Sequence, residues 1–170
     1  DGLDSAKEAM VKMAVQMGNR RRKAEAAFQR AAERQRRCRD RMRQIGREAL
    51  TQIEQDPAKT AVVIFGRPYN AFAEEAHMGI PNKLASRGIL VIPYDFLQFD
   101  EERHKRHMYW GMGQLIMKAA RIVKKHPQLF GTYITNFSCG PDFFNLTGGP
   151  QRNHWTPKTC SMAAFTSSMD

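Results

Sequence analysis

Thr60-Ala61-Val62-Val63-Ile64-Phe65-Gly66-Arg67-Pro68-Tyr69-Asn70 is the stretch that decides the fold. Its first part is a continuous apolar run rich in β-branched residues, closed by a glycine. A strand without polar alternation has to be covered on both faces, which is the habit of parallel sheets flanked by helices. Two further runs share that character: Ile89-Leu90-Val91-Ile92, closed by Pro93, and Thr132-Tyr133-Ile134-Thr135-Asn136-Phe137. Between the first two runs, Pro81 suits a first helical turn and Gly88 a C-terminal cap, so a short helix is expected. Between the second and third, a longer helix is expected from Asp100-Glu101-Glu102 to Lys124-Lys125-His126, with acids at its positive end, bases at its negative end and Pro127 as the stop. Met108, Leu115, Ile116, Ala119, Ile122 and Val123 recur at helical spacing and should face the sheet. The resulting fold class is α/β: a partial doubly wound, Rossmann-like parallel sheet over residues 58–143.

Upstream of this stretch the composition changes. From Ala6 to Glu54 there is no proline, glycine occurs only at Gly18 and Gly46, and Ala, Arg, Gln, Glu and Met predominate, so a long basic helical segment is expected over residues 1–57. Gln55-Asp56-Pro57 ends it. Ala24, Phe28, Ala31, Gln35, Cys38, Met42, Ile45 and Ala49 follow spacings of four and three and predict a narrow packing seam, which could also pair with a preceding helix around Met10, Met13 and Met17. Arginines from Arg20 to Arg47 surround the seam and account for much of the net charge of +10. A field of that sign attracts acidic partners. The acids Glu25, Glu33, Asp40 and Glu48 are interspersed, and only Phe28 is aromatic, which favours a solvated helix face over a nucleic-acid footprint. Residues 144–170 show no helix or strand period and are expected to form an irregular tail.

The chain has 170 residues, enough for one ordinary core. It shows no charged-then-apolar leader, and no apolar run approaches the roughly 20 residues that span a bilayer. A cytoplasmic protein, or an excised fragment of one, is the expectation. Cys38, Cys139 and Cys160 are too widely spaced for a disulfide framework and are expected to be reduced thiols.

Ligands of open parallel sheets collect beyond the carboxyl ends of the strands. Those ends carry Gly66-Arg67-Pro68-Tyr69-Asn70, Pro93-Tyr94-Asp95 and Ser138-Cys139-Gly140-Pro141-Asp142, which singles out Arg67, Tyr69, Asn70, Asp95, Cys139 and Asp142. Cys139 sits before Gly-Pro, a turn that favours a thiolate for metal ligation or nucleophilic attack; the alternative is a small buried hydrophobe. Arg67 has the fork to bind a phosphate or carboxylate, or to pair with Asp95 or Asp142. His104 and His107 stand three apart, but Arg103, Lys105 and Arg106 would repel a cation there. No G-x-G-x-x-G or P-loop is present.

Three motifs in order, Val63 to Asn70, Met108-Tyr109-Trp110-Gly111-Met112-Gly113-Gln114 and Asn136 to Asp142, make the chain resemble the acyl-CoA dehydratase activase-related proteins, relatives of the 2-hydroxyglutaryl-CoA dehydratase and benzoyl-CoA reductase components. The resemblance covers about residues 58–143. It implies a [4Fe–4S] domain that accepts low-potential electrons from an ATP-dependent activator, with Cys139 as a metal ligand and Arg67, Tyr69, Asn70 and Asp142 lining the cofactor site. The cysteine motifs that would complete such a cluster have no counterpart upstream, so the expected ligand set is incomplete in one chain. The partners implied are an ATPase activator domain or subunit, an acyl-CoA substrate, and a second copy of the chain in a homodimer; a membrane is not expected. Beside this reading stand a cofactor-free module that uses the basic helix to contact nucleic acid or an acidic protein, and a truncated, inactive fragment.

Overall fold

A computed structural model describes residues 2–104, 106, 108–135 and 163–164. The chain divides into two compact units, Asp1–Met42 and Arg43–Asp170. In the first unit, helix α1 (Gly2–Gln16) is followed by the beginning of the 34-residue helix α2 (Arg21–Glu54). The continuous helical composition is interrupted once, where Gly18 takes φ +86°, a left-handed conformation that glycine adopts without strain. The chain turns back there. Val11 and Ala32 are buried, while Arg21 reaches Glu8 at 2.9 Å and Arg36 reaches Asp4 at 3.2 Å.

The packing seam differs from the expected one. Of the expected seam, Ala24, Phe28, Met42 and Ala49 are half-buried and Ala31, Gln35, Cys38 and Ile45 are exposed, whereas Ala32, Gly46 and Ile53, outside it, are buried. A weak seam of alanines and polar residues does not fix which face is covered; bulk and ion pairs decide it instead. Gly46 is selected by contact, because a Cβ there would stand 2.0 Å from the carbonyl oxygen of Phe96.

In the second unit three strands form where apolar runs were expected, β1 (Ala61–Phe65), β2 (Leu90–Pro93) and β3 (Leu129–Thr135), the last starting three residues before the expected run at Thr132. All pairings are parallel. Ala61 aligns with Leu90 on one side and Leu129 on the other, so β1 is central in the order β2-β1-β3. A two-residue strand, β4 (Ala163–Ala164), adds to the end of β3 opposite Ile134 and Thr135. Two residues are too few to leave a period in the tail, so this strand has no sequence signature.

Alternation along β1 divides the core. Ala61, Val63 and Phe65 face a cluster with Ile53, Ile116, Ala119, Val123 and Tyr133, while Ile64 faces Ala71 and Ile134 with Leu84 and Val91 packed against them. Both faces are covered, as the unbroken apolar run requires. The coverage shows an α/β fold with a small parallel sheet; a closed or doubly wound sheet is not part of what these three strands display.

The connections carry more helix than expected on one side and less on the other. After β1 come three short helices, α3 (Pro68–Ala71), α4 (Glu74–His77) and α5 (Ile80–Ala85); the last has Pro81 in its first turn and is followed by Gly88 at φ +76°. The long helix α6 (Gly111–Lys125) starts well after the acids at 100–102. Those acids serve as partners instead: Asp100 pairs with Arg43 at 2.7 Å, and Glu102 with Arg121 at 3.9 Å and with Lys125. Ile116, Ala119 and Val123 face the core as expected, but Leu115 is exposed and Met108 precedes the helix, packing on Gly113.

One side chain ties α2 to β3. The Gln128 amide nitrogen shares its two hydrogens among three carbonyls, Ile53 at 2.7 Å, Asp56 at 2.9 Å and Lys59 at 2.9 Å. Of the three, the Ile53 carbonyl belongs to the last turn of α2, where it has no intrahelical partner.

Candidate functional site

The carboxyl ends of β1 and β2 are built by close backbone packing. Gly66 takes φ +145°, and a Cβ there would lie 2.4 Å from the Ile134 carbonyl oxygen and 2.9 Å from Ala71 Cβ. Only glycine lets the chain leave β1 this close to β3. Arg67 then caps α3 in an extended conformation, its carbonyl accepting from the Asn70 and Ala71 N–H groups at 2.8 Å each, with Pro68 in the first turn. This geometry buries Asn70 and leaves Tyr69 on the surface at 57% exposure.

Beyond β2 a 3-10 turn (Tyr94–Phe96) presents Tyr94 and Asp95. Tyr94 stacks on Phe65 and on Phe72 with ring centroids 6.0 Å apart in both cases, so the ends of β1, α3 and β2 form one packed edge. Burial, helped by the neighbouring Asp95 charge, pushes the Tyr94 phenol up to about 12, while Arg67 acts in the opposite direction. Asp95 is also raised, chiefly by burial. Sequence reasoning named Asp95 but not Tyr94; the signal available for Tyr94 was its place directly after Pro93 at a strand end.

Among the described residues two polar atoms at this edge are buried without a hydrogen-bond partner: Asn70 Nδ2, a donor, and Asp95 Oδ1, an acceptor. Arg67, Tyr69, Asn70 and Asp95 therefore occupy the adjoining ends of β1 and β2, as expected from topology. Cys139 and Asp142 lie outside the described residues, as does His107, and His104 is exposed. A cavity of about 710 Å³ lies at the opposite edge, beside Lys59, Thr60, Gly88 and Leu90. The one cation lining it, Lys59, is paired with Asp56 at 3.8 Å, whereas the strand-end edge carries the unpartnered buried atoms and is the better candidate.

The expected iron–sulfur domain is overturned. Among the described residues no group of three or more His, Cys, Asp or Glu side chains is placed to hold a metal ion. The described cysteine, Cys38, is exposed on α2 with its Sγ 3.9 Å from Met42 Sδ, and no other ligand type joins it. A cluster needs several thiolates brought together in space, and among the described residues Cys38 is the one cysteine. The [4Fe–4S] cofactor and the electron-transfer role fall together; Cys139 itself lies outside the described residues.

Among the described residues no helix is long and apolar enough to cross a membrane. No curated protein and no solved structure matches the chain. A family model described as the CoA enzyme activase uncharacterised domain matches residues 1–97. The match takes in the helical segment and the first motif, Val63 to Asn70, and stops before the two later motifs that contributed to the resemblance. Because it spans more than half of the sequence, the chain belongs to the CoA enzyme activase uncharacterised domain family (DUF2229).

Proposed function

We propose that this chain is a binding domain of a CoA enzyme activation system, and that the carboxyl edge of its sheet takes the acyl-CoA. In this reading the small parallel sheet is the first part of a doubly wound fold, and an ATPase activator is the partner domain or subunit. The observation that carries it is the pair of unpartnered buried atoms, Asn70 Nδ2 and Asp95 Oδ1, beside Arg67. A buried donor or acceptor left unpaired costs about 1–3 kcal/mol, which a ligand supplying the missing partner recovers. Secondary amides such as those along the arm of coenzyme A carry both a carbonyl and an N–H. The Arg67 guanidinium adds a planar fork suited to phosphate, and Tyr69 an exposed ring at the rim. Cys139 and Asp142, which follow β3 in the sequence, are the further residues assigned to this edge.

Titration calorimetry with acetyl-CoA and with free CoA tests the reading. The wild-type chain is expected to bind, and Arg67→Ala to weaken binding about tenfold, or about 1.4 kcal/mol. Asn70→Ala is expected to lose affinity while leaving the unfolding midpoint unchanged or raised, because its Nδ2 makes no hydrogen bond to forfeit. Equal affinities in all three proteins, or no heat of binding in any, would remove the acyl-CoA assignment.

A further inference from the structure

The first unit carries a charged face that its own packing does not use. Lys23, Arg30 and Arg37 follow one another at seven-residue spacing along α2, about 10 Å apart at 1.5 Å per residue, and all three are exposed. At about 100° per residue they lie on the far side of the helix from Ala32, whose burial marks the side that packs. Lys23 and Arg30 make no ion pair among the described residues, and Arg37 keeps 76% of its side chain exposed although its Nε donates to Glu33 at 2.9 Å. Arg34 lies in the same strip and is exposed as well.

Beside the cations runs a ladder of small residues, Ala27, Ala31 and Cys38, also exposed. Spacings of four and seven place them on one line, with Arg34 between the last two. A narrow, small-residue line flanked by charges in heptad register is the layout of a helix that receives another helix. The cations specify the partner's charge. On the far side of the cations from that line stand Glu33 and Asp40, where a duplex would bring phosphates, and no aromatic side chain lies along the line or the cations for base stacking. The face is thus matched to acids on one side only.

We propose that this face of α2 docks an acidic helix of a partner protein, with small apolar residues along its seam and glutamates or aspartates repeating every seven residues opposite Lys23, Arg30 and Arg37. The surface lies within the first unit alone and does not depend on the acyl-CoA reading.

Fluorescence anisotropy on the full chain provides the test, with a labelled synthetic helix of about 21 residues carrying an alanine seam and glutamates in heptad register, and a scrambled peptide of the same composition. At about 0.15 M salt the register peptide is expected to bind about tenfold more tightly than the scrambled one. The double variant Lys23→Glu, Arg30→Glu is expected to lose that preference, and circular dichroism to report unchanged helix content. The neutral variant Lys23→Gln, Arg30→Gln keeps the test open if the reversal unfolds the helix, and should lose about threefold. Equal affinity for both peptides overturns the proposal, as does an undiminished affinity in the neutral variant. Preferential binding of a DNA duplex over the register peptide likewise overturns it in favour of a nucleic-acid surface.

Discussion

Gly46 reverses an ordinary rule. In an exposed helix interior, replacing glycine by alanine stabilises by about 1 kcal/mol. Here the added Cβ would meet the Phe96 carbonyl oxygen at 2.0 Å, so Gly46→Ala is expected to destabilise, by about 2 kcal/mol or more, as read from a denaturant midpoint. Gly66→Ala combines a similar collision with an unfavourable φ of +145° and should cost about 3 kcal/mol. Asp95 makes a different kind of prediction. Burial raises its folded pKa above the unfolded value of 3.8, so the folded state binds the proton more tightly, and stability declines as pH rises through the window that opens near 3.8. Above the raised folded value the loss is complete and constant. Asp95→Asn should therefore gain stability at neutral pH and flatten the acid limb of a plot of unfolding free energy against pH; an unchanged limb would place the titration elsewhere. The same sign holds for Tyr94 between pH 10.0 and about 12.

Among the elements, the strands were legible in the sequence because an unbroken β-branched run has one stable environment, between two layers. The helices were less so. Asp100-Glu101-Glu102 matches the charge preference of a helix start, yet Asp100 pairs with Arg43 and Glu102 with Arg121 and Lys125, which are distant in the sequence. Local charge rules do not contain that competition. The buried face of α2 was only partly placed, for a related reason: alanines, Gln35 and Cys38 differ too little in apolar area for spacing alone to choose the side. At the candidate site, topology placed Arg67, Asn70 and Asp95 at one edge, but their unpaired atoms follow from packing and had no sequence signal. Gln128 is the least legible of all, a polar residue in a turn that holds carbonyls of Ile53, Asp56 and Lys59. Gln128→Ala should cost about 1–3 kcal/mol and increase amide exchange at the end of α2. Gln128→Glu should do no better, since a carboxylate has no N–H to donate.

At the scale of the molecule, a net charge of +10 is concentrated by the first unit's helices, while the second unit holds the sheet and its core. The two units thus divide the expected work, one offering charge and the other a packed edge. The position of β1 in the sheet has a consequence for how the chain is made. Its neighbours on both sides, Leu90 and Leu129 at the level of Ala61, are added to the growing chain after it. On the ribosome the central strand emerges first and stays without its full set of partners until β3 has followed, whereas α1 and the start of α2 already have each other. Synthesis therefore proceeds past a stage in which the helical hairpin is formed and the most apolar segment of the chain is still waiting, the interval in which such a nascent chain has most need of a chaperone.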